Sequence, residues 1–245
     1  MAVNDIDELK LYRGDDYVIN DKIVIRQPLI GEIVDYGEKQ YFRMIQGLCS
    51  TPSDMMVELT EMGYDFVTMD DFELFKMISP TFKKEQTSIL LGGLDLSSLE
   101  LYDDLNNGDV VLYNEESKIK IDKLIYQKIV DFIRLIHGMK ANHDVPATKN
   151  ARKVMIELAK QDALIAAKKP YKSNLRNLIS GMVNSGMLQY NLQEVFDLTI
   201  YQFMDSVHRV QAIKQADAML HGIYGGMVDA TKLTNKDELN WLRSL

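Results

Sequence analysis

The sequence predicts a predominantly helical α+β protein, with small antiparallel β-hairpins and helices in its N-terminal part and an all-α C-terminal part. Short runs rich in Val, Ile and Tyr, separated by turn-forming residues, occur in the first half. Apolar residues at three- and four-residue steps dominate the remainder. A polar segment between Gly138 and Pro146 separates the two patterns. We therefore expect a mixed acidic domain over residues 1–140 and a helical domain, with an apolar C-terminal tail, over residues 147–245.

The first predicted element is a β-hairpin. Residues 17–19 and 22–25 are β-branched or aromatic runs, and the Asn-Asp pair between them tolerates positive φ, so we expect a two-residue turn there. Pro28 ends this pairing, because proline has no amide hydrogen to donate. A helix is predicted next, with one continuous apolar stripe formed by Ile30, Ile33, Val34, Tyr41, Met44, Ile45 and Leu48.

Two helix starts follow. Residues 51–54, Thr-Pro-Ser-Asp, combine a hydroxyl cap, a proline in the first position and an acid in the first turn. Asp70 and Glu73 have the spacing of a capping box. The helix that they open is expected to end before Pro80, because the residue before a proline disfavours helical geometry.

A second group of strands is predicted further along the chain. Residues 99–102 face residues 110–113 across a turn that includes Asn107-Gly108, and residues 118–121 alternate as a half-buried strand does. Asp122 is positioned to cap a helix. The apolar residues of that helix are Leu124, Ile125, Ile129, Phe132, Ile133 and Ile136.

Three helices are predicted in the C-terminal part. The first covers residues 151–169, which are rich in Ala, Lys and Leu, and ends before a proline. Ser173 or Asn174 can cap the second helix. Asn191 and Glu194 have capping-box spacing at the start of a long last helix. The apolar stripe of that helix is Phe196, Ile200, Phe203, Val207, Val210, Ile213, Ala216 and Leu220.

Charge is unevenly distributed along the 245-residue chain, whose net charge is −8. Residues 1–140 contain 26 acidic and 15 basic residues, a net of −11, whereas residues 141–245 contain 10 acidic and 13 basic residues, a net of +3. We therefore expect the two parts to contact each other or to bind separate partners. The overall negative field disfavours nucleic acid as a partner.

The sequence favours a cytoplasmic protein that does not associate with membranes. No apolar run approaches the roughly 20 residues that a membrane-spanning helix needs. The acidic N-terminus lacks the basic start and the apolar stretch of a signal peptide. Cys49 is the single cysteine and follows an apolar Gly-Leu pair, so we expect an inert core thiol in a reducing compartment.

No recognisable active site is present, and we expect neither enzyme activity nor a cofactor. His137, His143 and Asp144 could supply metal ligands, but their spacing matches no usual metal site, so no metal is expected. A Gly-x-Ser-x-Gly elbow and a phosphate-binding glycine loop are both missing from the sequence. Three acidic doublets lie beside predicted turns or caps, where solvated or capping carboxylates are a simpler interpretation than a metal site: Asp15-Asp16, Asp70-Asp71 and Asp103-Asp104.

A group of basic residues allows two interpretations. It could form a nucleic-acid face, but only Tyr171 interleaves with it, so base stacking has little support. An ordinary solvated helix face, or a dock for the acidic half, is the alternative. The group consists of Lys149, Arg152, Lys153, Lys160, Lys168, Lys169, Lys172 and Arg176.

Methionine and aromatic residues recur in the last third of the chain. Methionine adapts its shape at low cost, which suits a surface that accepts a partner helix, although core filling explains it equally well. A tryptophan so near the C-terminus must dock back onto the body or reach another chain. We therefore predict a protein-contact surface in or near which lie Phe203, Met204, Met219, Tyr224 and Trp241.

The order of several motifs resembles a phage protein family. A short acidic start and a Tyr-rich hairpin precede residues 36–42, Tyr-Gly-Glu-Lys-Gln-Tyr-Phe, and residues 51–54. Later come Gly-Ile-Tyr-Gly-Gly at residues 222–226, Val-Asp at residues 228–229 and Leu-Asn-Trp at residues 239–241. Together these resemble the tail assembly chaperones encoded among the tail genes of tailed phages and prophages of Gram-positive bacteria. The resemblance covers most of the chain, and none of its motifs is catalytic.

This resemblance implies a cytoplasmic assembly factor that binds the aggregation-prone, helical tape-measure protein, and with it the tail tube protein, while the tail tube forms. It transfers no functional residue, because the family acts through surfaces, and it leaves a homo-oligomer open. Three other functions are alternatives: a structural virion component such as a tail or head-completion subunit, a nucleic-acid-binding regulator that uses the basic group between Lys149 and Arg176, and an enzyme with an unrecognised site.

Overall fold

The computed structural model describes residues 6–104, 108–233 and 235–243. It confirms the predicted fold class, because helices dominate and the described strands form a two-stranded and a three-stranded antiparallel sheet. The helices before residue 138 are α1 (Glu8–Arg13), α2 (Ile30–Tyr36), α3 (Glu38–Leu48), α4 (Met56–Glu61), α5 (Asp71–Ile78), α6 (Lys84–Leu91) and α7 (Lys123–Ile136). The helices after it are α8 (Lys149–Lys168), α9 (Asn174–Asn184) and α10 (Ile200–Tyr224).

The predicted first hairpin is confirmed, but its predicted turn is wrong. β1 (Tyr17–Val18) pairs with β2 (Val24–Ile25), so the loop covers residues 19–23 rather than two residues. The Asn20 side-chain oxygen accepts hydrogen bonds from two loop amides, at 2.9 and 2.8 Å. Lys118 is the only described non-glycine residue with positive φ, so the Asn20 side chain closes this loop without a left-handed backbone.

The single helix predicted after Pro28 is in fact two helices. Gly37 adopts φ +98°, which interrupts the helical backbone between α2 and α3. Val34, the residue before the break that was expected in the stripe, is 48% exposed. The other predicted stripe residues are buried: Ile30, Ile33, Tyr41, Met44, Ile45 and Leu48.

The helix start predicted at residues 51–54 is also wrong, because α4 begins at Met56. Thr51 and Asp54 do make reciprocal bonds, since the Thr51 amide donates to the Asp54 carboxylate at 2.9 Å and the Asp54 amide to the Thr51 hydroxyl at 3.3 Å. These bonds close only a turn before α4, and the hydroxyls of the run also hold a distant loop. The Thr51 hydroxyl donates to the Asn142 carbonyl oxygen at 2.5 Å, and the Ser53 hydroxyl donates to the Asp144 carbonyl oxygen at 3.0 Å. The chain between α7 and α8 is thereby tied to the body of the protein.

Three other predicted caps are confirmed. Carboxylate or hydroxyl oxygens of Asp70, Asp122 and Ser173 accept hydrogen bonds from first-turn amides of α5, α7 and α9, at 3.0, 2.8 and 2.9 Å. α1 and α6 were not predicted from the sequence. α1 has six residues, with Asp7 as its N-cap and Gly14 at φ +95° as its C-cap, and it is too short for a periodic signal.

The second sheet agrees with its prediction. β3 (Glu100–Asp103), β4 (Val110–Asn114) and β5 (Ile119–Ile121) lie in sequence order and pair antiparallel. Leu112 lies opposite Leu101 on one side and Ile121 on the other. Asn107 of the predicted turn lies outside the described residues.

The long last helix begins later than predicted. The Asn191 and Glu194 side chains do make the reciprocal capping bonds, at 3.0 and 2.8 Å, but they open only a short 3-10 turn. α10 itself starts at Ile200, where Thr199 and Gln202 form a second capping box. Both sequence signals are real, and the first of them belongs to a different element.

Two buried apolar clusters hold the fold together. The larger one combines side chains from both sides of residue 138, among them Tyr41, Phe75, Phe132, Ile179 and Phe203. The smaller cluster is covered by α8 and consists of Met56, Leu59, Phe66 and Leu74. The division into domains at residues 140–147 stays a prediction.

Candidate protein-contact surface

α10 is anchored in the core by its N-terminal part. Its buried residues are Ile200, Phe203, Val207, Val210, Ala212 and Ala216. No residue of the helix after Ala216 is buried. The last two turns therefore extend past the apolar core. The predicted apolar stripe continued to Leu220, so the sequence did not indicate this.

Glycines reverse the chain at the end of α10. The amides of Met227 and Val228 both donate to the Gly222 carbonyl oxygen, at 2.9 and 3.0 Å, and Gly226 has φ +71°. A Cβ atom at Gly222 would lie 2.8 Å from the Val228 Cγ2 atom, closer than such atoms approach. The glycine segment therefore ends α10 and reverses the chain.

The C-terminal tail folds back along α10. The Arg209 guanidinium donates to the carbonyl oxygens of Trp241 and Arg243, at 2.7 and 2.9 Å. The Arg243 guanidinium donates to the Gln215 side-chain oxygen at 3.2 Å. The tail and the second half of α10 thus form a helical hairpin, and the segment with the tryptophan docks back onto its own chain.

This hairpin leaves four large apolar side chains in solvent, which we name the distal surface: Tyr224, Met227, Trp241 and Leu242. Their exposed fractions are 84%, 85%, 47% and 69%. Tyr224 and Met227 lie at the tip, whereas Trp241 and Leu242 lie near Arg209. At 1.5 Å of rise per residue, the two pairs are separated by about 22 Å along α10.

The five predicted contact residues have different environments. Tyr224 and Trp241 lie on the distal surface, and Met219 is half-buried on the distal half of α10. Phe203 is fully buried in the larger cluster, so in this conformation its side chain fills the core. Met204 is half-buried and lines a groove beside α3. Whether these residues contact a partner stays a prediction.

A groove lies between α3, the start of α9 and the first turns of α10, and we name it the α3–α10 groove. Its volume is about 720 Å³. Half-buried apolar side chains form its floor, and exposed cations lie at its edge. Its principal lining residues are Lys39, Phe42, Arg43, Tyr171, Leu178 and Met204.

Met227 and Leu242 were not among the predicted contact residues. Met227 follows the Gly225-Gly226 pair directly, and a chain reversal commonly leaves the next side chain in solvent. Leu242 follows Trp241 in the apolar tail. The positions of Met227 and Leu242 could be recognised from the sequence, whereas the pairing of Arg209 with the tail carbonyls could not.

His137, for which no metal was expected, is a buried neutral side chain. Its Nδ1 lies 2.7 Å from the Ile133 carbonyl oxygen, which can only accept, so Nδ1 carries the hydrogen. Its Nε2 lies 2.7 Å from the Tyr41 hydroxyl and accepts from it. Burial lowers the pKa of His137 to about 4. Both ring nitrogens are thus engaged within the protein.

Members of the acidic doublets act as a cap and as ion-pair partners. Asp70 caps α5 and pairs with Lys123 at 2.6 Å, and Asp104 pairs with Lys120 at 2.5 Å. His143 approaches Asp71 at 3.9 Å, and burial raises the pKa of the Asp71 carboxyl. Within residues 6–104, 108–233 and 235–243, no three His, Cys, Asp or Glu side chains converge to hold a metal ion.

The basic group is partly used in contacts within the chain. Two of its members attach α8 to the acidic part of the chain: Arg152 pairs with Asp65 at 2.9 Å, and Lys160 pairs with Glu61 at 2.8 Å. The Arg152 guanidinium also lies 4.8 Å from the centre of the Phe66 ring. The interpretation as a dock for the acidic half is thus supported for these two residues.

Comparisons with known proteins bear on the C-terminal part. Residues 167–245 match a family model described as the YomV second domain, which belongs to a phage-associated, YomV-like family. No curated protein and no solved structure matches the chain. The matched range contains α9, α10 and the distal surface, so this part of the chain is similar to a phage-associated domain. Each helix in the described part of the chain is too short or too polar to cross a bilayer.

Proposed function

We propose that this protein is a tail assembly chaperone of a tailed phage or prophage, which acts in the host cytoplasm by contact and without catalysis. Its partner is the tape-measure protein, whose apolar helical stripes it covers until the tail tube protein surrounds them. The similarity of residues 167–245 to a phage-associated domain supports the phage context. The distal surface is the observation that carries the proposed mode of action.

The geometry of the distal surface suits a helix. Its two apolar pairs lie about 22 Å apart, which corresponds to about 15 residues, or four turns, of a partner helix. Aromatic and methionine side chains are favoured where a protein surface receives an apolar helical stripe. Four such side chains exposed on one small hairpin are unfavourable in water, and a partner that buries them relieves this cost.

A binding experiment tests the proposal. The chain would be co-expressed with a helical fragment of the tape-measure protein from the same phage, and the retained fragment measured after affinity purification. We expect Tyr224→Ser with Met227→Ser to weaken retention about tenfold or more, because a few central apolar anchors dominate such interfaces. Leu9→Ser and Leu101→Ser are matched controls, since these leucines are 81% and 64% exposed elsewhere.

Equal retention by the distal and control variants would contradict the proposed contact. A truncation after Met227 gives a second readout, because it removes Trp241 and Leu242 together. The protein composition of purified virions distinguishes a chaperone from a structural component. A chaperone is absent from finished particles, whereas a tail or head-completion subunit is present at a fixed copy number.

A further inference from the structure

The α3–α10 groove differs from the distal surface in its charge. Lys39 and Arg43 lie one turn apart on the same face of α3, at the groove's edge. Among the described residues, no Asp or Glu lines the groove. Within the described ranges, neither cation has a carboxylate within 4.0 Å. In a chain with a net charge of −8, this is a local positive site.

The nearest carboxylate in sequence is already occupied. Glu38 accepts hydrogen bonds from the amides of Asn174 and Leu175, both at 2.9 Å, and so caps the start of α9. Lys39 extends over the opposite wall, where its Nζ lies 5.8 Å from the centre of the Tyr171 ring. Because no described ion pair uses Lys39 or Arg43, both cations can still pair with an external anion.

The floor of the groove is apolar. Phe42, Leu178 and Met204 are half-buried, while Leu175 and Ile200 beneath them are buried. The volume of about 720 Å³ is large enough for two or three apolar side chains. His137 lines the groove without a free nitrogen, because both of its nitrogens are hydrogen-bonded within the protein.

We propose that the α3–α10 groove docks an acidic amphipathic helix of a partner protein. Apolar side chains of that helix fill the floor, and carboxylates one turn away pair with Lys39 and Arg43. A nucleic acid fits less well, because the net charge of −8 repels a polyanion and the floor, apart from Phe42, is aliphatic. A lipid bilayer fits less well, because the apolar residues lie in a concavity rather than on a projecting face.

Designed peptides test this inference directly. The acidic probe is a helical 18-residue peptide with leucine on one face and glutamate on both flanks, and its two matched forms carry glutamine or lysine in place of glutamate. Fluorescence anisotropy with the full chain gives the affinity of each. We expect the acidic peptide to bind at least about tenfold more tightly than the lysine form, and its affinity to fall as salt rises.

Three variants locate the binding. Lys39→Gln with Arg43→Gln should weaken binding of the acidic peptide about tenfold and leave binding of the glutamine peptide unchanged, because only charge pairing is lost. Met204→Gln should weaken binding of both peptides, because the floor of the groove loses apolar area. Lys83→Gln with Lys84→Gln is the control, since these adjacent exposed lysines lie away from the groove at the start of α6.

Equal binding of acidic and lysine peptides, or unchanged binding after both groove changes, would overturn the inference. Self-association of the chain that Lys39→Gln with Arg43→Gln abolishes, measured by sedimentation, would assign the groove to a second copy and overturn it equally. Retention on anionic vesicles in preference to the peptide would do the same. Distal-surface variants should bind the peptides normally, so a failure of the proposed chaperone role is distinguishable from a failure of this site.

Discussion

The buried His137–Tyr41 pair gives a quantitative prediction about stability and pH. His137 is neutral in the folded chain, because burial lowers its pKa from 6.5 to about 4. Between these two values the unfolded chain binds a proton that the folded chain does not. Stability must therefore fall as pH falls through this window.

The size of the effect follows from the shift. The full difference between the folded and unfolded pKa of His137 corresponds to about 3 kcal/mol in the free energy of unfolding. About 2 kcal/mol of this free energy is lost by pH 5. For a chain of this length, 2 kcal/mol corresponds to a decrease in Tm of about 4–8 °C. His137→Gln removes the titration and keeps a side chain that can form hydrogen bonds.

Urea unfolding at a series of pH values from 7.5 to 4.5 measures this effect. The difference between the wild type and His137→Gln isolates one group, because the exposed His143, His208 and His221 are present in both proteins. Equal pH dependence of the two proteins would refute the reasoning, since it would mean that His137 protonates freely in the folded state. Tyr41→Phe should destabilise the chain by about 1–3 kcal/mol near neutral pH, because it leaves Nε2 without its donor.

Three further predictions concern other contacts. Glu38→Ala should lower the free energy of unfolding by about 1 kcal/mol and speed amide exchange in α9, and unchanged exchange would contradict this role. Burial opposes ionisation of Glu38, but the amide and hydroxyl hydrogen bonds lower its pKa overall, so this contribution should be lost only as pH falls below the ordinary value of 4.5. Arg209→Gln should release the tail, so that limited proteolysis within residues 228–243 becomes faster than in the control Arg176→Gln; equal rates would show that Arg209 does not hold it. The Cys49 thiol is buried and its pKa is raised to about 12, so a thiol reagent should react only on unfolding, and immediate reaction of the native chain would contradict this.

Local signals in the sequence predicted most of the fold. Asp70, Asp122 and Ser173 act as predicted, because an N-cap involves only a side chain and amides two or three residues away. The two errors at residues 51–54 and at Gly37 have physical reasons. The Thr51 hydroxyl forms a hydrogen bond to a loop that is distant in sequence. Gly37 adopts a positive φ, which the spacing of apolar residues cannot reveal.

The candidate surfaces were predicted less completely. Tyr224 and Trp241 are exposed, whereas Phe203 lies in the core. An apolar stripe does not show where a helix extends past the core, so the sequence could not distinguish these positions. The α3–α10 groove was not predicted, because Lys39 and Met204 come together only through the packing of three helices. Sequence spacing carries no information about such contacts between distant residues.

Site-specific photocrosslinking tests the central claim most directly. A benzoyl-phenylalanine at position 224 would be compared with the same probe at position 12, because both replace exposed tyrosines, 84% and 51% exposed. During co-expression with tail proteins, position 224 should crosslink to the tape-measure protein and position 12 should not. Crosslinks of equal yield from both positions, or none from position 224 while the tape-measure protein co-purifies, would contradict a distal contact surface.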